Sequence, residues 1–303
     1  MTRAVVFAYH DVGVRCLSVL VAQGLEIPLV VTHRDNPGER IWFASVERLA
    51  RAQGLAVETP DDPNAATFGE KLRTIAPDFI FSFYYRHMLP AEVLGVAGRG
   101  AYNMHGSLLP KYRGRVPVNW AVLGGESETG ATLHRMTAKP DAGNIVDQMA
   151  VPILPDDLAV DVFRKVTFAA ELVLHRSLPR ILDGSAREVP QDLSKGSYFG
   201  GRKPEDGRID WTKSAKAIHN LVRAVAPPYP GAFTELQGHR LAIHRTRVLP
   251  AVGAPGPARL QVEERAVHVD CADGGRLQVL EAALDGHEAF PPTLLRTLGS
   301  RSL

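Results

Sequence analysis

The chain has 303 residues, 45% of them hydrophobic and 22% charged. That suits an ordinary globular protein of two domains, or one large α/β domain with an appendage, and excludes a disordered chain. The formal net charge is +2, from 35 Lys and Arg against 33 Asp and Glu, so charge alone indicates no large nucleic-acid-binding face. The first residues hold only a short apolar run, Ala4 to Ala8, before His10 and Asp11, too short for a signal sequence. No apolar run approaches a membrane span. A cytoplasmic protein without membrane insertion is expected. Cys16 and Cys271 cannot make a disulfide framework or a Cys-rich metal site, and buried, reduced thiols are expected for both.

In chain order, residues 5–8 read as a short apolar strand. Residues 14–23 place Val14, Leu17 and Leu20 on one helical face and end near Gly24. Residues 27–32 form a β-branched strand, followed by a polar turn at 34–38. Residues 45–53 and 68–75 read as helices, and 78–84 and 101–104 as strands. This alternation argues for a parallel sheet covered on both faces. Residues 158–182 form a long amphipathic helix, 196–206 a linker rich in Gly, Lys and Arg, and 215–226 another helix. Short strands at 241–245, 267–269 and 277–280 with Gly/Pro turns then suggest a small β-barrel. The domain reading is 1–195, a linker 196–206, and 207–303.

A parallel α/β start invites dinucleotide chemistry. The turn after the first strand, Tyr9-His10-Asp11-Val12-Gly13, has one glycine where the dinucleotide fingerprint needs three. No Walker A loop is present. The informative stretch is Ala101-Tyr102-Asn103-Met104-His105-Gly106-Ser107-Leu108-Leu109-Pro110, at the carboxyl end of an expected strand, where open α/β sheets bind ligands. Strand alternation puts Asn103 and His105 on one side. An amide that stabilises a developing oxyanion beside an imidazole that handles a proton suits acyl transfer. Asp141, in Lys139-Pro140-Asp141-Ala142-Gly143, is the best candidate to orient the imidazole. Singly, an Asn-x-His at a strand end is more often structural, and an Asp beside a Gly is most often a turn former. The motifs gain weight only together. The eleven histidines show no metal-ligand spacing, and no metal is expected.

Asn103 to Pro110, followed by Tyr112-Arg113-Gly114 and Pro117, resembles the core motif of the 10-formyltetrahydrofolate-dependent formyltransferases, and Asp141-Ala142-Gly143 matches the family's third catalytic position. Supporting stretches include Phe7 to Asp11, Phe81 to His87, Thr132 to Met136 and Pro230 to Phe233. The likeness covers the whole chain. It is closest to members that formylate UDP-4-amino-4-deoxy-L-arabinose in lipid A modification and polymyxin resistance. The resemblance implies a Rossmann-like N-terminal domain and a smaller C-terminal OB-like β-barrel domain. It also implies N10-formyltetrahydrofolate as co-substrate and a sugar nucleotide as acceptor. By the same resemblance Asn103 polarises the formyl oxygen, His105 manages the proton, and Asp141 raises the histidine's pKa. The folate lies along His87, Met88, Leu89, Arg115 and the loop Thr137, Ala138, Lys139, Pro140 and Asp141. The bifunctional relatives continue into an NAD-dependent decarboxylating domain, and no oxidative step is expected here. Methionyl-tRNA formyltransferase is a rival reading. From Arg202 onward, however, there are 14 Lys and Arg against 11 Asp and Glu, a small excess for a tRNA-binding surface. Two further rivals are a dTDP-amino-sugar formyltransferase and a non-catalytic folate- or nucleotide-binding protein. The motifs do not distinguish the aminosugar, the nucleobase or the oligomeric state.

Overall fold

The computed structural model describes residues 2–251, 253–263, 265–289, 293–294 and 297–303. The chain divides into two compact units. Unit 1 comprises Met1–Pro117, Thr129–Val151 and Phe163–Gly200, and unit 2 comprises Val118–Glu128, Pro152–Val162 and Gly201–Leu303.

The chain opens with β1 (Arg3–Ala8), α1 (His10–Ala22), β2 (Glu26–Val31), α2 (Val46–Ala52), β3 (Val57–Glu58) and α3 (Ala66–Ile75). Then follow β4 (Phe79–Phe83), α4 (Ala91–Leu94), β5 (Gly100–His105), β6 (Arg113–Gly114), α5 (Pro117–Leu123), β7 (Glu128–Arg135), β8 (Ile145–Pro152) and α6 (Ala159–Asp183). The sheet order is β3-β2-β1-β4-β5-β7-β8. Strands β1 to β5 pair in parallel, as the alternating pattern predicts. β7 departs from that pattern, because it runs antiparallel to β5, with Asn103 opposite His134 and His105 opposite Thr132. Both faces of the parallel part are buried. Val5, Phe7, Leu29, Val31, Ile80 and Ala101 pack with Phe68, Leu72 and Val93 into one cluster. The alternate residues Ala4, Val6, Val30, Phe79, Phe81 and Phe83 are equally enclosed. A sheet covered on both sides needs near-continuous apolar strands, and β4, Phe-Ile-Phe-Ser-Phe, is one.

Two sequence-level boundaries shift. α1 starts at His10 rather than near Val14, and residues 196–206 are not bare linker. They contain β9 (Tyr198–Phe199), which pairs in parallel with β6, and a 3-10 turn at Pro204–Gly207.

Unit 2 holds α7 (Ala215–Val225), β10 (Ala232–Leu236), β11 (His239–Leu249), β12 (Arg259–Val262), β13 (Val267–Asp270), β14 (Arg276–Leu284), β15 (His287–Glu288) and β16 (Arg301–Ser302). Ser214 caps α7 by accepting from the Ala217 N–H. The strands form an antiparallel sheet in the order β10-β11-β14-β13-β12-β16, with β15 on β14. This is a curled half-barrel of the OB-like kind. β13 shows the alternation of buried and half-buried residues that its sequence pattern predicts. No helix among the described residues is long and apolar enough to cross a membrane.

Candidate active site

The strand order reverses between β1 and β4, and β5 lies beside β4. The carboxyl end of β5 is therefore next to the crevice where α/β sheets of this kind bind ligands. Asn103 and His105 sit two residues apart on β5, and Asp141 arrives from the turn before β8. His105 is 6% exposed. Its Nδ1 lies 3.5 Å from Asp141 Oδ1. All three sequence-predicted catalytic residues thus belong to one cluster in unit 1.

The backbone decides how the imidazole is used. His105 Nε2 is 2.8 Å from the Tyr112 carbonyl oxygen, which only accepts, so Nε2 carries the proton and donates. In the neutral ring, Nδ1 is then the bare nitrogen and faces the carboxylate. The tautomer is set by Tyr112, not by Asp141. Tyr112 adopts a left-handed φ of 56° to present that carbonyl. Such a conformation costs a bulky residue of order 1–3 kcal/mol and concentrates at functional sites.

A fourth residue joins the group. His134 Nδ1 is 2.9 Å from the Arg135 carbonyl and therefore donates to it. Its Nε2 then accepts from Asn103 Nδ2 at 3.1 Å. This fixes which way the Asn103 amide points and leaves one amide N–H unspent. His134 Nε2 is also 3.6 Å from Asp141 Oδ1. Sequence reasoning noted the stretch Thr132 to Met136 but gave His134 no role. Only the antiparallel register of β7 on β5 puts it opposite Asn103.

Asp141 is held from several sides. The Gly114 N–H donates to its Oδ2 at 2.8 Å. The Gln191 amide donates to the carbonyls of Asp141 and Gly143 at 3.0 and 2.6 Å and so clamps the turn. Asp141 itself takes a left-handed φ of 50°, tolerable for Asp. A side chain at Gly143 would run into the Arg135 carbonyl, and one at Gly106 into the Tyr84 hydroxyl, which explains both glycines. Thr132 accepts from the Leu109 N–H at 3.1 Å and donates to the Ser107 carbonyl at 2.6 Å, anchoring the loop after β5.

Burial lowers the His105 pKa below its usual 6.5, while the Asp141 charge and the Tyr112 carbonyl pull it up. The expected rise from Asp141 is real as a contribution but is outweighed by desolvation. Burial pushes the Asp141 carboxyl up, but His105 and the Gly114 N–H together hold it well below the carboxylate range. The two partners pull in opposite senses, since a neutral His105 gives Asp141 less support. The Gly114 N–H does not titrate, so an ionised Asp141 beside a neutral His105 is the state at neutral pH.

The residues that the resemblance assigns to folate are spread over two loops. His87 and Met88 are exposed after β4, and His87 stacks on His33 at 5.1 Å. Leu89 does not face outward: it is 1% exposed and belongs to the apolar core with Phe7 and Leu72. Thr137, Ala138 and Lys139 form an exposed turn, closed by the Thr137 hydroxyl on the Lys139 carbonyl at 2.9 Å, and Pro140 is half-buried. Arg115 is exposed, whereas Arg113, two residues earlier, is buried.

Comparison with known proteins adds the following. The family described as "Formyl transferase" matches residues 21–178, and the one described as "Formyl transferase, C-terminal domain" matches residues 202–295. An N-formyltransferase from Helicobacter canadensis, solved with folinic acid and dTDP-3-aminofucose, is 21% identical, with 92% of this chain and 99% of that one covered at a TM-score of 0.75. WlaRD, a sugar 3N-formyl transferase solved in the presence of dTDP and 5-N-formyl-THF, is 21% identical, covering 92% and 97% at 0.73. A sugar N-formyltransferase from a Shewanella species is 16% identical, covering 80% and 96% at 0.64.

Proposed function

The chain belongs to the formyl transferase family, and from that premise we propose that it moves a formyl group from N10-formyltetrahydrofolate to the amine of a sugar nucleotide. The observation that carries this reading is the pairing of an unspent Asn103 N–H with a bare His105 Nδ1 beside an ionised carboxylate. That donor and that acceptor together fit a carbonyl attacked by an amine. The folate supplies an activated formyl group. Asn103 donates to the formyl oxygen as negative charge develops on it, and such a donor is worth about a hundred- to a thousand-fold in rate. His105 Nδ1 takes the proton of the attacking amine and returns it to folate N10 as the bond from N10 to the formyl carbon breaks and tetrahydrofolate leaves, a contribution of roughly a hundred- to ten-thousand-fold. Asp141 stabilises the imidazolium, and His134 holds the Asn103 amide in the donating orientation.

The motifs after β5 favour UDP-4-amino-4-deoxy-L-arabinose as acceptor, which would place the reaction in lipid A modification. The dTDP-3-aminofucose and dTDP of the structural neighbours support a dTDP-amino sugar equally. Both acceptors place the enzyme in the cytoplasm. The test is a panel of UDP-4-amino-4-deoxy-L-arabinose, dTDP-3-amino and dTDP-4-amino sugars and methionyl-tRNA, each with 10-formyltetrahydrofolate, read by product mass. A gain of one formyl group on a sugar nucleotide with matching tetrahydrofolate release supports the reading. Formylation of methionyl-tRNA alone, or folate binding without transfer to any acceptor, overturns it.

A further inference from the structure

Arg113 is the feature of unit 1 that the transfer chemistry leaves unused. Among the described residues two arginines are buried, Arg113 at 9% exposure and Arg223 at 5%. They differ in their partners. Arg223 Nε donates to Asn220 Oδ1 at 3.0 Å. Arg113 Nε is enclosed and meets no acceptor. No described residue makes a hydrogen bond or ion pair with its terminal nitrogens, which, unlike Nε, are not sealed from solvent. Other large guanidinium contacts in unit 1 are spent: Arg86 on Glu39, Arg135 on Glu188 and Arg176 on Asp147. Leaving an enclosed N–H without an acceptor is unfavourable, and a guanidinium so largely buried is normally paired or ligated.

Its place in the chain is equally specific. The residue before it gives its carbonyl to His105, and the residue after it gives its N–H to Asp141. Its own backbone N–H is taken by the Ser197 carbonyl at 3.0 Å, and β6 pairs with β9. The backbone on either side is therefore fixed by the transfer site, and the side chain starts within its own length of that site. The two terminal nitrogens form a planar end-on fork that matches the two oxygens of a phosphate or carboxylate. Both proposed substrates carry such groups: a diphosphate in the sugar nucleotide, and the glutamyl carboxylates in the folate.

We propose that Arg113 is an oxyanion-binding residue of the transfer site, with the end-on fork of its two terminal nitrogens receiving paired oxygens of one substrate. The inference rests on the proposed sugar-nucleotide and folate reading only for which substrate supplies the oxygens.

The test is calorimetric binding of UDP, dTDP and 5-formyltetrahydrofolate to the full chain and to Arg113→Gln and Arg113→Lys. Circular dichroism and the melting temperature check that each variant is folded. Arg113→Gln is expected to weaken one ligand class by at least about tenfold. Loss with the nucleotides assigns the phosphate source, and loss with the folate assigns the carboxylate source. Arg113→Lys, which keeps the charge but not the fork, is expected to recover only part of the affinity. Wild-type affinity of folded Arg113→Gln for all three ligands overturns the proposal. If Arg113→Gln does not fold, Arg113→Lys is decisive: unchanged binding of every ligand overturns it, because the fork is what the proposal requires. A wild-type chain that binds neither nucleotide refutes the sugar-nucleotide reading, while weaker folate binding by the variant still upholds Arg113.

Discussion

Two groups of histidines lie at carboxyl ends of strands in the same sheet, and they spend their nitrogens in opposite ways. After β1 and β2, His10 and His33 are packed among rings: His10 stacks on Phe43 at 3.8 Å and His33 on Tyr85 at 4.2 Å. In both, a backbone N–H occupies the imidazole lone pair. Asp11 N donates to His10 Nδ1 at 2.9 Å, and Arg86 N donates to His33 Nε2 at 2.9 Å. At the end of β5 the polarity is reversed. A backbone carbonyl takes the protonated nitrogen of His105 and leaves the basic one bare, facing a carboxylate. All three rings are pushed toward neutrality by burial. Burial makes a neutral imidazole, and the backbone group that meets it decides whether that imidazole is a base.

The contrast can be broken at its strong end first. His105→Ala is expected to lower kcat by about a hundred- to ten-thousand-fold, and Asn103→Ala by about a hundred- to a thousand-fold, in a tetrahydrofolate-release assay. Near-normal turnover in both would leave the β5 group no different from the aromatic one. A smaller effect is expected at His134. His134→Phe removes one hydrogen bond that orients Asn103, so kcat should fall roughly three- to tenfold, with substrate affinity little changed. A matching loss of folding stability without a kcat effect would make His134 merely structural.

The aromatic group should show itself in stability rather than in turnover. In the unfolded chain these histidines protonate near their ordinary value of 6.5, but in the fold only near about 3 for His10 and about 4 for His33. Folded-state values below the unfolded ones mean that unfolding takes up protons. Stability should therefore fall as pH drops below about 6.5 and stop falling below the folded values. His10, the more buried, should contribute most, on the order of a few kcal/mol, and the half-exposed His33 less because solvent screens it. Denaturant unfolding at a series of pH values, with His10→Phe as the comparison, reads this directly. An unchanged acid slope in His10→Phe would contradict it.

Much of this was legible in the sequence, because periodicity reports burial. The near-continuous apolar run of β4 and the alternation in β13 mark strands without any tertiary knowledge. Asn103, His105 and Asp141 were legible as a motif. The rest depended on register. His134 faces Asn103 only because β7 runs antiparallel to β5, and nothing in Thr-Leu-His-Arg states the direction of its partner. Gln191 clamps the Asp141 turn from 50 residues away. Leu89, named through the resemblance together with His87 and Met88, has its side chain in the core. Arg113 and Arg115 look alike in a basic stretch, and only the short β6–β9 pairing, inside an apparent linker, accompanies the burial of one and the exposure of the other. The net fall of the His105 pKa was hidden for a similar reason. The sequence shows the carboxylate that raises it but not the burial that outweighs it.

The central claim is that neutral His105 accepts the amine's proton at Nδ1 beside an ionised Asp141. The pH dependence of kcat/KM in the wild type and in Asp141→Asn tests it most directly. The account predicts an acid limb below 6.5 in the wild type, moving lower still in a slower Asp141→Asn enzyme once the carboxylate no longer draws a proton to the ring. An acid limb above 6.5, or one that Asp141→Asn leaves in place, would contradict it.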